Sequence, residues 1–341
     1  MNELTKKETK MLQGLSVLAM VLLHLFCTYN YENKYTPILF FQGVPLCFYI
    51  AQLSDFCVYG FAFCSGYGHM VNYGKEGFYK NRLKGLLMVL VDYWVILCVF
   101  SIISIAAGQA EFMPGSLRQL IMSALLVEIS YNGAWWYLFT YTVLVVLSPV
   151  LLKAVEKYHP LTVLALGFAV YCTAYYVRFH VVTDNWLLNK YGTFGMTLFE
   201  YLIGAVCYKI RFVSLLRNLW YRCSKMIQWV VTGALILAML YCRTKIIASL
   251  FVAPVTGSIL MALFVLWKKP DWMERIFLFV GKHSTNIWLT HMFFYLVLFK
   301  NLVFVAKYPI VIFALMMVIT TAVSTLLQFI QEPLHKAVSG I

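Results

Sequence analysis

Apolar runs of roughly twenty residues recur from one end of this chain to the other, and that repetition restricts its fold more than any other feature. A backbone amide left unpaired in hydrocarbon is costly, and a helix pairs its own. The runs fall at 11–28, 44–67, 85–107, 134–152, 161–178, 193–209, 227–242, 247–267, 284–304 and 310–330, which predicts an all-α polytopic transmembrane bundle of about ten spans. A shorter stretch, 117–129, is apolar but carries Arg118 and Glu128 and reads as an interfacial or re-entrant helix.

Composition agrees. With 62% hydrophobic and 12% charged residues among 341, and a mean hydropathy of +0.78, too little polar surface remains for a water-soluble globule. The lipid bilayer is therefore the expected solvent and partner. Loops are short, the longest being 29–43 and 179–192, so residues 1–341 read as a single membrane domain. Lys6, Lys7 and Lys10 precede an apolar run with no small-residue cleavage pattern after it, which predicts a retained first helix rather than a cleavable signal peptide.

The net charge of +13 invites a nucleic-acid partner, but its placement has a simpler cause. In a ten-span topology most of the 27 Lys and Arg fall on one side, including Lys75, Lys80, Arg82 and Lys84 and the group from Lys209 to Lys225. That is the positive-inside bias; it puts both termini in the cytoplasm and leaves no call for nucleic acid. The nine cysteines, among them Cys27, Cys57, Cys98, Cys172 and Cys207, show no CxxC or His-paired spacing. They read as small buried hydrophobes, and no metal site is expected.

Ionisable groups within spans cost about 2.5 kcal/mol or more near the bilayer centre and face a cavity or a partner. Here they are His24, Asp55, Asp92, Glu200 and His291, with Gln13 and Arg82 near helix ends. Eleven residues separate Gln13 from His24, close to three turns, so both share one face about 16 Å apart along the axis. Ser16 and Met20 lie near the same stripe. Such a stripe fits a helix lining an internal channel; it equally fits a His24 hydrogen bond to a neighbouring helix.

Other segments carry similar pairs of readings. Ser65-Gly66-Tyr67-Gly68 permits close helix approach, with Tyr67 placed for an interfacial aromatic belt. Lys80, Arg82 and Lys84 crowd the mouth of the third span, where they either orient the chain or hold a phosphate, for which Arg offers bidentate donors. Asp92 lies deep enough to pair with His24 or His291. Trp135-Trp136-Tyr137 reads on its own as an aromatic belt, and Glu200, in mid-helix, calls for a compensating partner. In the ninth span Ser284 or Thr285 is placed to cap the helix start, with Asn286, Thr290 and His291 projecting polar groups inward.

Taken in order, these segments resemble the acyltransferase 3 family of bacterial membrane O-acyltransferases, from the first helix to the last. The family's first helix carries a basic residue followed eleven positions later by His, matched here by His24. A Ser-Gly-aromatic element is matched by Ser65-Gly66-Tyr67, a Phe-x-x-x-Arg pattern by Phe78 and Arg82, and a Trp-aromatic pair before a proline-bearing span by Trp136-Tyr137 and Pro149. The late Gly-Lys-x-Ser element ending in Leu-x-His is matched by Gly281 to Ser284 and Leu289 to His291, with Trp288 in the family's tyrosine place. Two positions depart: Gln13 stands where the basic residue belongs, and Gly85, beside Lys84, takes the place of a second arginine.

The resemblance implies an enzyme that moves an acyl group, most often acetyl, from cytoplasmic acyl-CoA to a hydroxyl of a cell-surface or lipid-linked glycan, working as a multi-pass protein of the bacterial plasma membrane. Acyl-CoA is then a co-substrate. The implied catalytic residue is His24; donor contacts fall to Arg82, Lys84, Gln13, Ser65 and Tyr67, and orientation or acceptor contacts to Asp92, Trp136, Glu200 and His291. Two other functions would use the same buried polar groups: a transporter or exporter, and a family member that has lost its chemistry, which Gln13 would favour.

Overall fold

The computed structural model describes residues 3–32, 34–246 and 252–340. It is helical almost throughout. The first helix, α1 (Lys6–Phe26), starts from a capping box in which the Thr5 hydroxyl accepts from the Glu8 amide at 3.1 Å and the Glu8 carboxylate accepts from the Thr5 amide at 2.9 Å. There follow α2 (Leu46–Leu53), α3 (Cys57–Asn72), α4 (Phe78–Ala106), the short α5 (Leu117–Ala124), α6 (Trp136–Lys157) and α7 (Pro160–His180). The second half comprises α8 (Trp186–Lys209), α9 (Phe212–Arg222), α10 (Lys225–Lys245), α11 (Val252–Leu266), α12 (Asp271–Lys282), α13 (Ser284–Thr290) and α14 (Pro309–Gly340). The one sheet among the described residues is a hairpin of two-residue strands, β1 (Phe40–Phe41) and β2 (Val44–Pro45), turning through Gln42 and Gly43 at positive φ.

Among the described residues, seven helical segments are long and apolar enough to cross a membrane: Lys6–Phe26, Leu46–Asn72, Phe78–Ala106, Gly133–Lys157, Pro160–His180, Lys225–Lys245 and Pro309–Gly340. The expected span 193–209 lies on α8, which is long enough but diluted by polar residues such as Asn189, Lys190 and Glu200. The first five residues of the expected span 247–267 lie outside the described residues, and 252–266 form α11. The expected span 284–304 is not one helix. Its helical part begins earlier, at Asp271, and after Thr290 the chain tightens into 3₁₀ turns at His291–Phe294 and Val303–Ala306. Because α12 leads straight into α13, neither Ser284 nor Thr285 caps a helix start; His283 precedes α13 without a side-chain cap bond. The segment expected at 117–129 is the eight-residue α5, with Leu117, Ile121 and Leu125 exposed along one face and Arg118 paired to Glu128 at 3.4 Å.

The chain divides into two compact units. The first comprises Met1–Cys27, Phe48–Phe78 and Leu147–Lys282; the second comprises Thr28–Cys47, Tyr79–Val146 and His283–Ile341. Within the first unit helices meet through glycines. A Cβ at Gly66 of α3 would collide with the Tyr201 carbonyl of α8, and one at Gly204 of α8 would collide with the Phe63 carbonyl of α3. Gly60 of α3 faces the Ser16 hydroxyl of α1, and Gly14 of α1 faces the Phe277 carbonyl of α12. Small residues let backbones approach closely where lipid supplies no hydrophobic drive for association. Lys209 closes the end of α6, its ammonium donating to the carbonyls of Val155 at 2.8 Å, Glu156 at 3.0 Å and Tyr158 at 2.8 Å.

Within the second unit Trp135 is wholly buried, in edge contact with Tyr93 at 4.8 Å and Phe293 at 5.9 Å, and its indole donates to the Leu289 carbonyl at 2.9 Å. The aromatic triplet that reads as a belt in the sequence is therefore largely core: Trp135 and Tyr137 are buried and only Trp136 is half-exposed. Phe293 also stacks on Phe100 of α4 at 4.1 Å. Those ring contacts hold the 3₁₀ turn after α13 in place.

Candidate active site

Five of the ten candidate residues belong to the first unit: Gln13, His24, Ser65, Tyr67 and Glu200. The other five, Arg82, Lys84, Asp92, Trp136 and His291, belong to the second.

In the first unit, α1 carries Gln13 and His24, both half-buried, while Ser16 and Met20 between them are buried. Beside the carboxyl-terminal part of α1 packs the 3₁₀ turn Ser54–Phe56. There Asp55 pairs with Arg243 at the end of α10, whose guanidinium also donates to the Gln52 carbonyl. Arg243 is 2% exposed. This pair lies within electrostatic reach of Cys27, which caps the end of α1 three residues beyond His24. Glu200, 4% exposed on α8, lies within electrostatic reach of Asp55 and Arg178.

Several polar atoms in this region are enclosed without a hydrogen-bond partner in the protein: both amide ends of Gln52, Oδ1 of Asp55 and Oε2 of Glu200. Buried polar atoms are nearly always satisfied, so orphans gathered in one region mark a place where a polar group from outside the chain belongs. Arg243 and Gln52 carry no signal in the sequence; Arg243 sits 188 residues from its carboxylate partner, near the end of a largely apolar run.

Two candidates are held differently than the sequence suggests. Tyr67 is 1% exposed rather than interfacial, and its hydroxyl donates to Glu3 at 2.6 Å while accepting from the Leu4 amide at 3.0 Å. It fastens the segment before α1. The Ser65 hydroxyl donates to the Phe61 carbonyl of its own helix at 2.9 Å. Of the two expected close-approach glycines, Gly66 makes one and Gly68 faces open space.

In the second unit, Asp92 of α4 lies 2.8 Å from Nε2 of His335 on α14, not against His291. Near this end of α14 the Lys84 ammonium donates to the Ser339 carbonyl at 2.5 Å, and Arg82 is half-buried with its Nε enclosed and making no hydrogen bond. The α13 segment is latched to residues 132–135: Asn132 donates to the Leu289 carbonyl at 3.0 Å and Trp288 donates to the Ala134 carbonyl at 3.0 Å. His291, fully buried, directs Nδ1 to the Trp288 carbonyl at 2.8 Å. One turn earlier Asn286 forms a reciprocal amide pair with Gln331 of α14, at 2.8 and 2.9 Å. His335 and Gln331 escape a sequence reading because their partners are remote in the chain.

A set of helices fit to cross a bilayer, with an imidazole, carboxylates and guanidinium groups carried on them, defines a multi-pass membrane protein with polar groups set into its helix packing. The chain matches the acyltransferase domain family over residues 9–329 and belongs to it; it is a membrane acyltransferase. No curated protein and no solved structure matches it.

Proposed function

We propose that this acyltransferase moves an acyl group, acetyl in the simplest case, from cytoplasmic acyl-CoA to a hydroxyl of a cell-surface or lipid-linked glycan in a bacterial plasma membrane. The observation that supports this most is that the turn bearing Asp55 packs against α1, the helix that carries His24, and that Gln52, Asp55 and Glu200 hold enclosed polar atoms without a hydrogen bond. A hydroxyl-rich acceptor supplies both donors and acceptors to such atoms.

In the proposed reaction His24 takes the proton of the acceptor hydroxyl as its oxygen bonds to the thioester carbonyl carbon. The carbon–sulfur bond then breaks, and the proton passes from the imidazolium to the departing CoA thiolate. Imidazole suits both halves because its pKa lies near neutrality, and the same group could hold the acyl transiently before passing it on. Arg82, whose enclosed Nε has no protein partner, and Lys84 would bind a CoA phosphate. Gln13 and Ser65 remain donor contacts in this reading, and Tyr67 acts by fixing the segment before α1. Glu200 and Asp92 serve as orienting groups, and Trp136 and His291 as acceptor contacts.

The test is transfer of radiolabelled acetyl from acetyl-CoA to membrane glycans in vesicles carrying wild type or His24→Ala protein at matched insertion. Loss of label by about 100-fold or more in the variant supports the assignment. Full label with His24→Ala removes His24 from the chemistry, and no label with any acyl donor in wild type favours transport or an inactive member.

A further inference from the structure

The first unit contains two adjoining cavities that the transfer reaction does not use. One, of about 760 Å³, lies where the amino-terminal end of α1, α9 and the 267–270 loop meet. Its charged lining is Lys7, Glu8, Arg217, Lys268, Lys269 and Glu274, an excess of two positive charges. Lys7 pairs with Glu274 at 2.5 Å and Arg217 pairs with Glu8. Lys268 and Lys269 enter no ion pair among the described residues; the Lys269 ammonium donates to the carbonyls of Phe264 and Trp267 and lies 4.2 Å over the Phe264 ring. Burial pulls the Lys269 pKa below its ordinary value, an effect that a neighbouring anion offsets.

The second cavity, of about 250 Å³, is walled by apolar side chains that include Leu12, Phe63, Val213, Met261 and Leu266. It shares Val265 with the first, and Leu216 and Arg217, neighbours on α9, line one each. By comparison with an apolar cavity of about 150 Å³ that holds benzene, its size suits roughly ten carbons of a chain.

The level of the charged cavity is marked by tryptophans. Trp267, on its rim, lies 4.3 Å from Trp229 and 5.9 Å from Trp220, and its indole donates to Thr232 at 2.7 Å. Indoles gather at the headgroup depth of a bilayer. The amphipathic α9 alongside leaves Phe212, Leu215 and Leu219 exposed, as a helix lying in that interface does. A soluble nucleotide would have no use for an apolar annex at this depth, whereas a phosphate carried on acyl chains fills both chambers.

We infer that the paired cavities bind an anionic phospholipid from the leaflet at the Lys7 end of α1, with its phosphate against Lys268 and Lys269 and part of one acyl chain in the apolar chamber. Cationic pockets between helices at the membrane surface hold such headgroups. The lipid would join α1, α9 and α11.

The test uses the full chain purified in a neutral detergent, with retention of phosphatidylglycerol and phosphatidylcholine measured by native mass spectrometry. Phosphatidylglycerol should be retained in preference. Lys268→Gln, an exposed and structurally safe change, should weaken it about 5-fold, and Lys268→Gln with Lys269→Gln on the order of 30-fold. Met261→Trp, which fills the apolar chamber, should weaken it while leaving the preference between the two heads. Each variant's lipid-free melting temperature separates loss of the site from loss of the fold. Equal retention of both lipids, or undiminished retention by both lysine variants, overturns the inference. So does displacement of the lipid by adenosine 3′,5′-bisphosphate, which would make the larger chamber a nucleotide site.

Discussion

Asp92 on α4 and His335 on α14 meet at 2.8 Å, joining two helices whose contact residues lie 243 positions apart. The Asp92 side chain is 11% exposed and that of His335 is 30% exposed, so the contact is shielded on the carboxylate side and partly wet on the other.

Breaking this pair should cost stability through the carboxylate left behind. His335→Gln is expected to destabilise the protein by about 1–3 kcal/mol, below the range for fully buried pairs because of solvent at the imidazole. Asp92→Asn combined with His335→Gln should cost less than the two single changes added together. Melting temperatures of the four proteins in detergent measure this, and strict additivity would show that the two residues are not coupled.

Arg243 should be more sensitive than its carboxylate partner. Arg243→Met removes a 2% exposed guanidinium and strands Asp55, whose side chain is 30% exposed, with an expected loss of about 1–3 kcal/mol. Asp55→Leu added to it should restore much of the loss, since the uncompensated charge is then gone. Expression level and thermal unfolding report both; a double variant as unstable as Arg243→Met alone would contradict this account.

Gly66 and Gly68 offer a contrast within one helical turn. A methyl group at Gly66 meets the Tyr201 backbone carbonyl, which cannot yield without parting α3 from α8, so Gly66→Ala should cost about 1–3 kcal/mol. At Gly68 nothing lies within 4 Å, and Gly68→Ala should be neutral or stabilising by up to about 1 kcal/mol through helix propensity. Equal melting temperatures for the two variants would refute the close-packing argument.

Gln13 tests whether donor binding lacks a charge. On the proposed reading, Gln13→Arg should lower KM for acyl-CoA by about 3–10-fold with little change in kcat, because a charge-assisted hydrogen bond replaces a neutral one. The check is steady-state transfer in vesicles. An unchanged KM would take Gln13 out of the donor site.

How much of this was readable in advance depends on the distance over which a feature is encoded. The apolar runs that became α1, α4, α6, α7, α10 and α14 are local, and each was found to within a few residues at one end or both. The run at 284–304 reads as one span because hydropathy alone does not distinguish a straight helix from a compact aromatic turn. There Phe293 and Phe294 follow their ring contacts with Phe100 instead of continuing α13. The amphipathic α12 leaves no apolar run in the sequence because Asp271, Glu274 and Arg275 dilute its apolar face. His24, Asp55 and Glu200 stand out in the sequence because a polar group in an apolar run is visible at once. Arg243, Gln52 and His335 acquire meaning only from partners brought to them by folding.

The glycine contacts between α3 and α8 carry a consequence for motion. Where two helices touch backbone to backbone, as at Gly66 with Tyr201 and at Gly204 with Phe63, no layer of side chains lies between them to change rotamer and let one slide past the other. With Gly60 seated on Ser16, α1 is fastened to the same pair. The three helices must travel together or stay still, so on the proposed reading the imidazole of His24 is mounted on a stator, and donor and acceptor would have to be carried around that fixed post.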